Sequence, residues 1–397
     1  MELNLITSHG KIKLTYQPIQ NIFDVMRLNE IPWTSVTCFG RISKLDQELH
    51  LVNNITNNLS EFEDKYCELN LFLHRNINPT FFQKLDFDVS DLKGNDFPAS
   101  YFFYQKITDK EISKPLLKYL TAEDCRNIVA TNVHEVLRRY LTKDNNKIVL
   151  GVSGGGDSNA MLYAISTFED FKIEIIPVIV TGLNEWDRGL SRASQLCAKY
   201  NLKLNIVTKE ECCRILGFKD NNISHLERFE KFFPGDDFEV FSVHMIYKCL
   251  EHVAKTTKSN YFAIGANMDD KLSEVMYCVQ NGLKFFEMPA RKLGDITLLY
   301  PLWKCPKITV DGCFPKLALE NYEDRYPSYA PGRGLYYWLS YSILSQNPGF
   351  ASKLLDMASM YSYISSEELS FDESLNMLVS GSIDPDVKNK IIKMMSL

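Results

Sequence analysis

The sequence predicts an α/β protein: a doubly wound parallel sheet, preceded by a β-rich N-terminal domain and followed by a helical C-terminal part. Three observations predict it. First, the apolar runs KIVLGV (147–152), IEIIPVIV (173–180), LKLNIV (202–207) and YFAIGA (261–266) read as strands buried on both faces. Second, helical stretches alternate with them at Asn159–Thr167, Gly189–Tyr200 and Val240–Lys255, the pattern of a sheet wound through helical crossovers. Third, residues 1 to about 107 carry shorter segments, some with period-two alternation, separated by turn formers.

Taken in order, ELNLI, KIKLTY, SVTCFGRI, ELHLV, ELNLFLH and ASYFFYQKI are the strand-like segments of the N-terminal region. Ser8-His9-Gly10, Asn53-Asn54, Asn76 to Pro79 and Gly94-Asn95 punctuate them, and some helix is expected around Asn57 to Lys65. A crossing helix follows. Thr121-Ala122-Glu123-Asp124 is a capping-box-like start, and Ile128, Val129, Val133, Val136, Leu137 and Tyr140 repeat at helical spacing. ITLLYPLW (296–303) reads as one more strand, and the chain beyond Tyr300 is Pro- and aromatic-rich, then helical to Leu397. The expected organisation is a β-rich domain over 1–120, an α/β domain over 121–310 and a helical region over 311–397.

Composition narrows the function classes. At 397 residues, 45% hydrophobic and 24% charged, the chain is too apolar for a disordered or fibrous protein and long enough to bury its own core. Forty-four basic against fifty acidic residues leave a net charge of −6, which disfavours a general polyanion binder but allows a local basic groove. Ten cysteines contain no C-x-x-C pair, so the expected reading is small buried hydrophobes in a reducing cytoplasm. The N-terminal stretch lacks a basic flank followed by an apolar run, and nothing approaches about 18 uninterrupted apolar residues. A cytoplasmic protein with no membrane partner is expected; the oligomeric state stays open.

The most informative stretch is Ser153-Gly154-Gly155-Gly156-Asp157-Ser158, which directly follows the buried run at 147–152 and opens a helix. Glycines let the main chain approach an anion closely, and a helix N-terminus then faces it with N–H groups. Ser153 and Ser158 can donate hydroxyls, and Asp157 can hold a magnesium ion accompanying a nucleotide. The Gly-Lys-Ser/Thr ending of a Walker loop is missing, as is G-x-G-x-x-G. A second constellation, Gly265-Ala-Asn267-Met-Asp269-Asp270-Lys-Leu-Ser-Glu274, ends an apolar run and opens another helix. Its two aspartates are either helix caps or metal ligands; beside the glycine loop the metal reading prevails for Asp270, with Glu274 one turn on facing the same cleft.

SGGGDS resembles the S-G-G-x-D-S signature of the PP-loop, or N-type, ATP pyrophosphatases. These include asparagine, β-lactam, GMP and argininosuccinate synthetases and the tRNA-lysidine and tRNA-thiolation enzymes. The second segment is similar to G-x-x-x-D-D-x-x-E-T of tRNA-lysidine and thiocytidine-type enzymes, and more loosely to G-x-G-A-D-E of the asparagine synthetases. The resemblance spans roughly Lys147 to Lys307. It implies an adenine nucleotide alpha hydrolase-like fold, ATP cleaved to AMP and pyrophosphate, a pyrophosphate cradle in the loop, and Mg2+ held by Asp157 and Asp270. It further implies adenine seated at Val180 and Thr181 through backbone groups. A cation after a Pro-Leu element like Pro301-Leu302 makes Lys304 and Lys307 catalytic candidates, because a positive charge beside the α-phosphoryl group stabilises the transition state. Arg291 and Arg333 are expected to contact substrate. Arg188 and Arg192 read as solvated helix residues or phosphate contacts. The aromatic–arginine run RYPSYAPGRGLYYW (325–338) suits base stacking or carboxylate clamping as well as it suits a packed core.

Three absences select among chemistries. Residue 2 is Glu, not the cysteine of an N-terminal-nucleophile glutaminase; there is no C-x-x-C set; and the charge is acidic. The leading expectation is therefore an AMP-forming ligase, asparagine synthetase-like, that adenylates a carboxylate or amide carbonyl of a small molecule or peptide before amine attack. The alternative is adenylation of a nucleobase carbonyl, in tRNA or free, followed by amine or sulfur transfer; tRNA is not favoured as partner. A third reading is a non-catalytic nucleotide sensor.

Overall fold

The computed structural model describes residues 1–7, 10–73, 98–108, 111–182, 184–219, 222–236, 238–315, 317–318, 334–340, 348–364, 369–375, 377–380 and 383–397. The N-terminal layer is a five-stranded sheet of β1 (Glu2–Thr7), β2 (Gly10–Leu14), β3 (Val36–Arg41), β4 (His50–Leu51) and β5 (Glu68–Leu73), in the order β2-β1-β5-β3-β4. Leu3, Leu5, Val36, Cys38, Leu69 and Leu71 point to one core with Trp33 and the helix Ile22–Leu28, whose cap Asn21 and Asp24 form a capping box. A long hairpin, β6 (Ser100–Thr108) and β7 (Glu111–Leu120), leads into the crossing helix Ala122–Tyr140. Thr121 caps that helix as its sequence suggests, accepting from the Asp124 amide at 3.1 Å while Asp124 accepts from the Thr121 amide at 3.0 Å.

The central sheet has six strands: β8 (Lys147–Gly151), β9 (Glu174–Val180), β10 (Asn205–Val207), β11 (Tyr261–Ala263), β12 (Ala290–Leu293) and β13 (Ile296–Leu299). They lie in the order β10-β9-β8-β11-β13-β12, and every pair is parallel except the edge pair β12–β13. Ile148, Val149 and Leu150 of β8 are all buried because helices cover both faces. One face packs on the helices Ala122–Tyr140, Gly156–Ser166 and Leu190–Lys199, the other on Phe238–Thr257, Met268–Asn281 and Pro348–Ile364. The chain winds outward from β8 through β9 to β10, then returns to β11 on the other side. That reversal puts a topological switch point between β8 and β11, where the two crossovers diverge and leave a crevice at the carboxyl ends of the strands.

Three elements depart from expectation. The helix near Asn57 shrinks to Ser60–Glu63. The edge strand β12 runs antiparallel, joined to β13 by the turn at Gly294. The C-terminal region is not wholly helical: β14 (Leu369–Asp372) and β15 (Met377–Ser380) form a hairpin between Pro348–Ile364 and the last helix, Pro385–Ser396. Among the described residues no helix is long and apolar enough to cross a membrane.

Candidate active site

Both glycine-bearing segments of the sequence meet at the switch point. After β8 the chain turns through Ser153, Gly154 and Gly155 into the helix Gly156–Ser166. Gly154 has φ +76°, and a Cβ there would stand 2.5 Å from the Ala193 amide nitrogen, so glycine is required for both conformation and space. Gly155 caps the helix with no side-chain acceptor, which leaves the first-turn amides facing the loop without a capping group of the protein's own. The hydroxyls brace the turn: Ser158 Oγ accepts from the Ser153 amide at 3.0 Å, and Ser153 Oγ accepts from the Gly155 amide at 3.4 Å.

Across the crevice, β11 ends and Asn267 caps the helix Met268–Asn281. Its Oδ1 accepts from the amides of Asp269 and Asp270, while Asp270 Oδ2 accepts from the Asn267 amide at 3.0 Å. A Cβ on Gly265 would lie 3.0 Å from the Asp157 Cβ, so this turn packs directly on the phosphate-loop helix. Asn267 then joins the two segments, donating from Nδ2 to Asp157 Oδ1 at 3.4 Å.

The third contributor follows β13. Lys307, first residue of the helix Lys307–Gly312, donates from Nζ to Asp157 Oδ2 at 3.0 Å and to Asp311 Oδ1 at 2.6 Å. Its own amide donates to Asp269 Oδ2 at 2.7 Å. Burial alone would lower the Lys307 pKa, but the Asp157 and Asp311 carboxylates outweigh it and hold the ammonium charged beyond the ordinary lysine range. The result is one cation enclosed by carboxylates beside a glycine loop that presents helix amides.

The structure brings together Ser153, Gly154, Gly155, Gly156, Asp157, Ser158, Gly265 and Lys307 in this way, with Asp270 joined to Asp157 through Asn267. Of the two readings of Asp270 the structure shows the cap: it completes the capping box, and it also accepts from the Tyr337 hydroxyl. Val180 and Thr181 end β9 at the same sheet edge, where the Thr181 amide donates to the Val207 carbonyl at 2.9 Å. Lys304 does not join the site; its ammonium pairs with Asp356 at 2.7 Å and lies over the Trp303 ring. Glu274 does not face the carboxylates either. It is held by the fully buried Lys271, whose Nζ lies 3.7 Å from the Tyr300 ring centroid. Arg291 sits on the edge strand over the Phe286 ring at 5.1 Å. Arg333 lies outside the described residues.

Sequence reading missed Asp311 and gave Asn267 no role; Asp269, read as a cap or a metal ligand, accepts from the Lys307 amide. A Lys-x-x-x-Asp spacing, which puts 307 and 311 on one helix face, was the available signal for Asp311. Among the described residues no three His, Cys, Asp or Glu side chains form a group that could hold a metal by themselves. That suits magnesium brought by a nucleotide, which takes one or two carboxylates plus phosphate oxygens and water.

No protein-family profile matches the chain. Over 175 residues it is 27% identical to the probable sulfurtransferase of Methanocaldococcus jannaschii, a match covering 43% of this chain and 47% of that protein. The chain thus spans about half the length of the curated relative it matches. Among solved structures it is similar to the U34-tRNA thiolase NcsA from Methanococcus maripaludis, solved with its [4Fe-4S] cluster. The TM-score there is 0.52 at 19% identity, over 70% of this chain and 91% of that one. The NH3-dependent NAD synthetase from Campylobacter jejuni overlaps 62% of this chain and 94% of its own, with TM-score 0.36 and 14% identity. The likeness to that thiolase is one of fold: a mixed α/β structure built on a parallel sheet.

Proposed function

On that fold, we propose that the protein is an ATP-dependent adenylating enzyme that releases pyrophosphate and acts on a nucleobase carbonyl, which sulfur or an amine then displaces. The observation that carries the proposal is the placement of Asp157 and Lys307 at the end of a glycine loop on the switch-point edge. The amides of the loop and helix start are suited to the β- and γ-phosphates. Magnesium, held by Asp157 and Asp270 with phosphate oxygens, would neutralise the departing pyrophosphate. Lys307 is the group suited to the charge that grows on the α-phosphoryl oxygens as the acceptor oxygen attacks in line. Val180 and Thr181 offer backbone groups to adenine.

Similarity to a sulfurtransferase and to a tRNA thiolase favours the nucleobase over the carboxylate as acceptor. The net charge of −6 keeps small carboxylic acids and free bases in contention beside tRNA. A cysteine of this chain is a poor choice for the attacking sulfur near Asp157. Burial, and then the Asp157 charge, push the Cys305 thiol up and keep it protonated. The nucleophile is therefore expected from solution or from a partner.

The test is pyrophosphate release from ATP with bulk tRNA, free nucleosides, small acids and peptides in separate reactions. Stimulation by tRNA or a nucleoside supports the proposal, and stimulation by an acid or peptide alone restores the ligase reading. Tight ATP binding without release in any reaction indicates a sensor. ADP and orthophosphate as products would overturn the adenylation step itself.

A further inference from the structure

Two thiols meet behind the sheet edge that carries the site. Cys212 lies on the helix Lys209–Leu216, which follows β10, and Cys249 on the helix Phe238–Thr257. The Cys249 thiol donates to the Cys212 sulfur at 3.6 Å, and both side chains are fully buried. A third buried group joins them. His225 opens the helix His225–Phe232, is 1% exposed, and neither of its ring nitrogens has a hydrogen-bond partner among the described residues. An imidazole shut away from water in this way costs free energy unless a neighbour uses it. That neighbour is Cys212. The hydrogen bond from Cys249, and then the His225 ring, lower the Cys212 thiol against the burial that raises it, while Cys249, which gives the hydrogen bond, is pushed up. One sulfur of the pair is thus the nucleophile and the other keeps its proton.

We propose that Cys212 and Cys249 are a peroxide-oxidisable pair whose disulfide weakens nucleotide binding. The effect on nucleotide rests on the reading of the site given above; formation of the bond does not. A covalent bond needs a closer approach than 3.6 Å, so it draws the two helices together. Both helices bear on the site. Lys209, one turn before Cys212, packs on the end of β9: a Cβ on Gly182, at φ +87°, would stand 2.5 Å from the Lys209 Cβ. Leu250, next to Cys249, packs on the last residue of β8, where a Cβ on Gly151 would lie 3.1 Å from its Cδ1. Neither contact has slack, so a shift of either helix displaces the turn after Val180 and Thr181 or the strand that feeds the glycine loop.

The chemistry balances with a peroxide as the oxidant. The Cys212 thiolate attacks one peroxide oxygen, the O–O bond breaks, and a sulfenic acid forms. His225 takes the Cys212 proton and returns it to the departing hydroxide, which leaves as water. The Cys249 sulfur then attacks the Cys212 sulfur, the S–O bond breaks, and the Cys249 proton leaves with the hydroxyl as a second water. Each sulfur gives up one electron, and both peroxide oxygens end as water. Since neither sulfur is exposed, the oxidant must be as small as a peroxide and enter as the eight-residue helix Lys209–Leu216 opens locally.

The experiment treats the reduced full chain with stoichiometric hydrogen peroxide and digests it with trypsin in the absence of reductant. The peptide Glu210–Arg214 should be found joined to Cys249–Lys255, and dithiothreitol should part them. Cys213→Ala should keep the link and Cys212→Ala should lose it, which separates the two neighbouring cysteines. His225→Asn should slow the linkage by about one to two orders of magnitude, whereas an imidazole that only fills space would leave the rate unchanged. ATP affinity, measured by titration calorimetry, should be about tenfold weaker in the oxidised protein and return with dithiothreitol. Cys249→Ala should keep its affinity through the same treatment. Circular dichroism confirms folding of each variant, and the wild-type digest needs none of them. Peroxide consumed without a link between Cys212 and Cys249 overturns the proposal, and so does a complete link with ATP affinity unchanged. Failure of the site reading looks different: the link forms, but the reduced protein binds no ATP at all.

Discussion

Lys307 donates to Asp157 over 3.0 Å although 150 positions separate them. The contact ties the end of β13 to the loop after β8, with β11 between them in the sheet. Between them the chain makes four connections, β8 to β9, β9 to β10, β10 to β11 and β11 to β12, before the hairpin turn into β13.

That pairing distinguishes two lysines that the sequence treats alike. Lys307→Ala removes the cation beside the phosphate loop, and the rate of pyrophosphate release is expected to fall about 10²–10³-fold. Lys304→Ala breaks a pair whose carboxylate, Asp356, is 52% exposed, and such surface pairs contribute about 1 kcal/mol or less. It should leave the rate within a factor of about three. Steady-state pyrophosphate assays on both variants decide the assignment; equal losses would mean that neither lysine is the α-phosphate cation.

Asp157→Asn keeps the shape of the side chain and an oxygen for the Asn267 amide, while removing the charge that Lys307 and a metal need. Release of pyrophosphate should drop by about three orders of magnitude, the loss expected when a charged group acting on the transition state is neutralised. Thermal unfolding should move little. A variant that turns over normally would defeat the metal assignment.

Gly154→Ala tests the loop itself. The residue would have to occupy φ +76° and displace the backbone at Ala193, contacts that a side-chain rotation cannot relieve. A cost of about 2–4 kcal/mol in unfolding free energy is expected from the left-handed strain and overpacking together. Nucleotide affinity, measured by titration calorimetry, should be lost more completely than stability. Binding of ATP at wild-type strength would show that the loop does not hold phosphates.

How far the site was legible follows from what each part depends on. Gly154 and Asp157 were legible because a strand, a glycine turn and a helix start are local events with local signals. The parallel sheet was legible from KIVLGV and YFAIGA because strands covered on both faces lose their alternation. Lys304 against Lys307 was not, since three residues of register after β13 decide which one faces Asp157. Glu274 was misplaced for a similar reason. Its helical spacing from Asp270 was read correctly, but a fully buried Lys271 needed a carboxylate, and no sequence pattern announced that burial. The antiparallel edge β12 escaped because its short segment, Ala290–Leu293, carries two cations and reads as surface. The helix Ile22–Leu28 was in fact signalled, by Asn21 and Asp24 at capping-box spacing, inside a region whose strand pattern dominated.

The N-terminal sheet offers a test of stability that is independent of the nucleotide site. Glu68, on β5, is 9% exposed at its side chain and accepts from Asn4 Nδ2 at 3.1 Å. Lys11 binds it directly across the sheet, and Arg41 lies 3.6 Å from its other oxygen. Burial pushes the Glu68 carboxyl up, but the hydrogen bonds from Lys11 and Asn70 and the charges of Lys11 and Arg41 outweigh it, so its pKa lies below the usual carboxylate range. A carboxyl lowered in the folded state stabilises the fold above its unfolded pKa, and the contribution disappears as pH falls through the folded value. Glu68→Gln should thus cost about 1–2 kcal/mol near neutral pH, the worth of a hydrogen-bonded charge whose partner Lys11 is half exposed. The difference from wild type should hold steady from neutrality down to about pH 5 and shrink in more acidic solution, where the wild-type carboxyl takes up its proton. Denaturant melts of the two proteins across that range measure it directly. A gap that widened on acidification would mean that Glu68 is buried at a net cost, and that Lys11 and Arg41 only limit the damage.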